Sequence, residues 1–339
     1  MRILIRADGG RDIGMGHIMR TLTLARELNK YFEVIYVCKT EEGNKRNLTN
    51  GKYSKGIHKV LSSGFKVEMV HENDVLEDLK RIKGDMLITD SYDVDDMYFK
   101  VTSEVFHRTI YIDDMCSYDF KGLDMIINQN INASDLKYNE TFDKTLLLGC
   151  NYVMLRDEFK NLEDKIIRRK ARDVMITAGG ADPFLLTLKL LYYLRDENYN
   201  FHVVVGASFD EAYIDKLKIY EKSKNLSFYY NADMCELMKK CDICISAAGS
   251  TLYELCSVGV PSLSITVAEN QKKSAEKFDS LKIIKNLGWH NELNREKVLE
   301  EIHTLSSDYN KRKNISLTAQ AIIDGMGTQR IVEKILDMV

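Results

Sequence analysis

Short runs of Ile, Val and Leu recur along this chain, and each is followed by a segment whose apolar residues repeat at helical spacing. Continuous apolar runs need burial on both faces, which a parallel sheet covered by crossover helices provides. The chain therefore reads as α/β. The pattern predicts strands over 2–7, 33–38, 67–70, 86–89, 109–112 and 125–128, then over 174–177, 201–205, 226–230, 243–246 and 262–266. Ile18, Leu22, Ala25 and Leu28 predict a helix starting near His17, with one apolar face on the sheet. A charged stretch over 160–172 interrupts the pattern, which then restarts, so two similar α/β domains are expected, 1–157 and 158–339. The last helix, 330–338, fits either domain, and periodicity does not choose between them.

A length of 339 residues suffices for two such cores. With 48 Lys plus Arg against 51 Asp plus Glu, the formal charge of -3 gives no electrostatic reason to expect nucleic acid or a membrane surface as partner. The N-terminus lacks the apolar stretch of a secretory signal, and no run reaches the roughly 18 apolar residues of a membrane span, so a cytoplasmic protein is expected. Seven cysteines, an odd number lying mostly in apolar runs, are expected to be buried thiols without disulfides. Cys241 and Cys244 have the CxxC spacing of a redox or metal pair, but no second pair follows and the segment alternates like a strand. The stretch Lys39 to Lys59 is rich in Lys, Asn and Gly and reads as a solvated loop or exposed helix.

Chemistry concentrates in the turns after strands. Residues 6–20 form a glycine-rich loop between the first strand and the first helix, a position where open parallel sheets bind ligands. It is neither GxGxxG nor a P-loop, since Gly14 and Gly16 flank Met15 and no P-loop lysine follows. Its glycines let a ligand approach the backbone. His17, where loop and helix meet, can serve as a general base, with Asp8 or Asp12 holding its other nitrogen; the competing reading is a helix cap. Two further turns, 177–183 and 246–251, pair small residues with a helix start and together suit a diphosphate: Gly179, Gly180, Gly249, Ser250 and Thr251. Glu254, one turn beyond Ser250, is placed for ribose hydroxyls, and Gln271 adds a polar contact. Asp90 with Tyr92, Asp113 with Asp114, and Asn128 to Asn130 close three strands and are expected to face a substrate in an interdomain cleft.

Ile13 to Arg20, Asn151 to Phe159, Gly179 to Asp182, Ala248 to Leu255 with Gly259-Val260-Pro261, and Asp324 to Arg330 together resemble the UDP-2,4-diacetamido-2,4,6-trideoxy-β-L-altropyranose hydrolases of pseudaminic acid biosynthesis. The second-half block also resembles glycosyltransferases of the B fold, including the N-acetylglucosaminyl transferase of peptidoglycan synthesis. The resemblance implies two Rossmann-like domains facing a cleft, with UDP on the second and the sugar towards Gly14, Gly16, Arg20, Asp90, Tyr92 and Asn128 of the first. It implies that His17 activates water at the anomeric carbon, releasing UDP and free sugar with inversion, without metal or other cofactor. Two other functions stay open. A UDP-sugar-dependent glycosyltransferase for a cell-surface or spore-coat polymer would use the same His on a sugar hydroxyl, and a nucleotide-sugar-binding regulator would not need it. Nothing in the sequence sets an oligomeric state.

Overall fold

In the computed structural model, which describes residues 1–10, 13–41, 51–138 and 142–339, the apolar run Ile3-Leu4-Ile5 is fully buried in a central strand, β1 (Arg2–Ala7). It is followed by β2 (Glu33–Thr40), β3 (Lys66–His71), β4 (Met86–Asp90), β5 (Arg108–Ile112), β6 (Met125–Asn128) and β7 (Thr145–Leu148). All pair in parallel, in the order β3-β2-β1-β4-β5-β6-β7. Between them run α1 (Gly16–Leu28), α2 (Ser54–Ser62), α3 (Val75–Leu79) and α4 (Asp96–Val105). Alternation along β1 explains why its run is apolar throughout. Ile3, Ile5 and Ala7 join Ile18 and Leu22 of α1 in one core. Leu4 joins Tyr98 and Phe99 of α4 on the opposite face.

The second unit repeats the plan with β8 (Asp173–Thr177), β9 (Asn200–Val204), β10 (Leu226–Tyr229), β11 (Ile243–Ala247), β12 (Ser262–Thr266) and β13 (Ile284–Trp289). These are likewise parallel, in the order β10-β9-β8-β11-β12-β13. Its helices are α5 (Leu186–Leu194), α6 (Glu211–Lys218), α7 (Met234–Lys240), α8 (Thr251–Val258), α9 (Lys272–Ser280), α10 (Arg295–Ser307) and α11 (Tyr309–Ile322). The last helix, α12 (Gly327–Leu336), leaves this unit. Unit 1 comprises Met1–Asp157 with Met326–Val339, and unit 2 comprises Glu158–Gly325. The second unit thus stops short of the chain end, because Ile331, Val332 and Ile335 of α12 share the core of β1 and α1. Gly327 makes that docking close: a Cβ there would lie 2.5 Å from the Val153 nitrogen.

Three expectations need correction. The strands β7 and β13 were not anticipated. Both are sheet edges; β7 is a run of only four residues, Thr145–Leu148, of which Leu147 alone is buried. β13 carries Lys285, Asn286 and Gly288, and its pairing with β12 shifts register. Within Lys39–Lys59, residues 42–50 lie outside the described residues, yet the rest is not a solvated excursion: α2 turns Ile57 and Val60 into the core, and Lys39 is buried at the end of β2. Among the described residues no helix is long and apolar enough to cross a membrane.

Candidate active site

Open parallel sheets bind ligands at the carboxyl ends of their strands, where the strand order reverses. In unit 1 that point lies between β1 and β4, and in unit 2 between β8 and β11. The loops after these four strands are among those the sequence marks for chemistry.

In unit 1, Gly10 and Gly14 exchange two backbone hydrogen bonds of 3.0 Å, and α1 begins at Gly16. His17, its second residue, is 8% exposed, with Nδ1 2.6 Å from Asp90 Oδ1. The carboxylate accepts only, so Nδ1 carries a proton, and in the neutral ring the lone pair is on Nε2. The helix has no side-chain cap, so His17 is not one. Asp90, not Asp8, holds the ring at Nδ1. Asp8 accepts the Lys39 backbone N–H at 2.7 Å, and Asp12 lies outside the described residues.

Asp90 is wholly buried, and its oxygens also accept two hydrogen bonds of 2.6 Å from Arg20 Nε and Nη2. Arg20 continues to Asp114 through Nη1 at 2.9 Å and Nη2 at 3.0 Å. Asp114 also accepts from the Tyr92 hydroxyl at 2.7 Å and Asn130 Nδ2 at 2.8 Å. Burial would raise both carboxyls, but the Arg20 charge outweighs it and holds Asp90 below its usual value and Asp114 at about 2. Neither is then a useful base. Asp90 and Arg20 were expected to touch substrate; their polar atoms are instead spent on His17, Asp114 and each other. Asn128 is corrected likewise: it is fully buried, donating to the Tyr138 hydroxyl at 2.8 Å and accepting the Asn130 N–H at 2.9 Å. Tyr92 remains 45% exposed, its ring edge-on to His17 at 4.7 Å and 81°.

The glycines divide by what surrounds them. A Cβ on Gly10 would strike the Lys52 carbonyl, and one on Gly56 of α2 would lie 2.5 Å from the Gly9 carbonyl oxygen. Gly9 and Gly10 therefore admit the protein's own chain rather than a ligand. Gly14 has φ of +77°, and around it and Gly16 a Cβ would meet nothing within 4 Å.

In unit 2 the two helix starts are not equivalent. Asp182 accepts the N–H groups of Leu186 and Thr187 at 2.7 and 2.8 Å, besides the Tyr213 hydroxyl at 2.7 Å. A carboxylate of the protein thus already occupies the start of α5. Gly179 donates to Thr177 Oγ1 at 3.2 Å, while a Cβ on Gly180 would meet open space. The start of α8 is different: Ser250 is its N-cap without a side-chain cap, followed by Thr251. Gln271 accepts the Val267 N–H at 3.0 Å through Oε1, and its Nε2 lies 3.8 Å from where a Gly249 Cβ would be. Glu254 is half-buried on α8.

Cys241 and Cys244 are buried, and burial pushes both thiols up, Cys241 to about 12. They are poor nucleophiles and poor ligands in that state. Among the described residues no group of three or more His, Cys, Asp or Glu is placed to hold a metal.

This arrangement has relatives. Residues 170–329 match the glycosyltransferase family 28 C-terminal domain. That family 28 match covers the strands and turns of unit 2 just described. An uncharacterized protein of Methanocaldococcus jannaschii is 33% identical over 82% of this chain, and the alignment spans only 58% of that protein. The spore coat polysaccharide biosynthesis protein SpsG of Bacillus subtilis is 23% identical over 100% of this chain and 98% of its own. The pseudaminic acid cytidylyltransferase and UDP-2,4-diacetamido-2,4,6-trideoxy-β-L-altropyranose hydrolase of Helicobacter pylori is 30% identical over 63% of this chain and 40% of its own. Among solved structures, MurG of Acinetobacter baumannii superposes with a TM-score of 0.69 at 12% identity, covering 99% of both chains. UDP-GlcNAc 2-epimerase of Neisseria meningitidis, bound to UDP-GlcNAc, does so at 0.64 and 12% identity, over 99% of this chain and 100% of its own. The fold is that of the B-type glycosyltransferases.

Proposed function

We propose that the chain is a cytoplasmic hydrolase of a UDP-linked diacetamido-trideoxyhexose, supplying the free sugar to pseudaminic acid biosynthesis. UDP rests on unit 2, with its diphosphate at Gly180, Gly249, Ser250 and Thr251, near Gly179 and Gln271, and its ribose on Glu254. In unit 1, His17 Nε2 takes a proton from water as the water oxygen bonds to the anomeric carbon. The bond from that carbon to the diphosphate oxygen breaks with inversion, and UDP leaves with the electron pair. A diphosphate is already a good leaving group, so one base and fixed dipoles at the phosphates suffice. The observation that carries the reading is the His17–Asp90 pair at the switch point of unit 1, which in the neutral ring leaves Nε2 as the acceptor. The resemblance to the Helicobacter protein supports the substrate class.

The family 28 match and the Bacillus relative favour a second reading, transfer to a polysaccharide acceptor, with His17 deprotonating the acceptor hydroxyl. Incubation with a panel of UDP-sugars, following UDP and free sugar without acceptor, separates the two. Equal amounts of UDP and free sugar are expected, undiminished by EDTA. UDP release only on adding a saccharide acceptor would make the chain a transferase, and no turnover of any UDP-sugar would overturn both.

A further inference from the structure

His17 is bound to a carboxylate, and an isolated carboxylate favours the imidazolium, which has no lone pair to accept a proton. The structure contains a counterweight. Arg20 forks across both oxygens of Asp90, and its Nη2 lies 3.4 Å from His17 Nδ1, a donor facing a donor. The side chain is 13% exposed and the Asp90 carboxylate is fully buried, so water screens the three charges little. The other groups facing the ring are the Tyr92 edge from the turn after β4 and, beyond Arg20, Asp114 from the end of β5. Asp114 fixes the far side of the guanidinium and is itself tied by Tyr92 and Asn130.

We infer that Arg20 and Asp114 are positioning residues that set the proton affinity of His17: Arg20 lowers it by neutralising Asp90, and Asp114 tempers Arg20 and holds its fork in register. Arg20 is one turn along α1 from His17, so helix geometry brings the cation to the carboxylate that orients the ring. The rate consequence rests on the reading of His17 as the base, whereas the titration does not.

The two substitutions pull in opposite directions. In Arg20→Gln the Asp90 charge is uncompensated, the imidazolium gains stability, and the His17 midpoint moves up by about one pH unit or more. In Asp114→Asn the cation is less balanced, and the midpoint moves down by a smaller amount. Ring ¹⁵N NMR titrations of the full chain read this without substrate, and pH–rate profiles should show the acidic limb moving the same way. Arg20→Lys keeps the charge but not the fork; it should leave the midpoint near that of the unchanged protein and lower kcat more than KM. It also serves if Arg20→Gln does not fold. Shifts of the same sign, or none in folded variants, would overturn the inference. A chain without turnover whose His17 shifts as described would fail the hydrolase reading and keep this one.

Discussion

Replacing His17 by Asn should remove chemistry and little else. The amide can still donate towards Asp90 but has no basic nitrogen, so turnover should fall roughly 10²–10⁴-fold while the melting temperature holds. A reduced melting temperature with normal turnover per folded molecule would mean that the ring serves the fold alone. The rate of the unchanged protein should fall towards acidic pH, as protonation removes the Nε2 lone pair. Asp114 carries a separate, stability-linked prediction. Burial opposes its ionisation, yet Arg20 holds it at about 2, below the unfolded range. Its stabilisation is present above about pH 4 and is lost as pH falls through 2. Asp114→Asn should therefore cost about 2 kcal/mol at pH 7 and progressively less below about pH 4, measured by urea unfolding at pH 7 and near pH 2. His17 and its loop were legible because the signal is local. Its partner was not, since Asp90 lies 73 positions away and only the adjacency of β1 and β4 unites them.

At the scale of elements, glycines that look alike in sequence have different work. Gly56→Ala would push a methyl against the Gly9 backbone, at 2.5 Å from O, 2.8 Å from N and 2.9 Å from Cα, none of which can rotate away. A loss of about 1–3 kcal/mol is expected in a thermal or urea melt, with slower turnover because Gly9 belongs to the loop that leads into His17. Gly180→Ala should behave in the opposite way. Open space surrounds that position, so stability should be unchanged, and calorimetry should show weaker UDP binding, since a diphosphate against the backbone would meet the methyl. The sequence showed where the buried strands lie, because burial on both faces leaves a continuous apolar run. It showed less of β7, only four residues long with Leu147 alone buried, of β13, broken by Lys285, Asn286 and Gly288, and of α2, whose buried Ile57 and Val60 stand among lysines. Nor could it rank the two phosphate turns, since occupation of the α5 start by Asp182 depends on how the loop returns onto its own helix.

For the whole molecule, the proposed function divides nucleotide affinity and proton transfer between the two units, and this division can be measured. Glu254 is the discriminating residue, because a carboxylate accepting two ribose hydroxyls contributes binding energy that does not change as the anomeric bond breaks. Removing charge-assisted hydrogen bonds of that kind should weaken UDP by about 10–100-fold. Glu254→Ala should raise Kd for UDP and KM for the UDP-sugar together and leave kcat within a few-fold. His17→Asn should do the reverse, lowering kcat with UDP affinity intact. If the two sites act independently, the double variant shows the sum of the two free-energy changes, as expected for residues without shared partners. The check is calorimetric titration with UDP alongside steady-state kinetics, on variants whose melts match the unchanged protein. Unaltered UDP affinity in folded Glu254→Ala would remove the ribose assignment. A marked loss of UDP affinity in His17→Asn would show that the nucleotide is not carried by unit 2 alone.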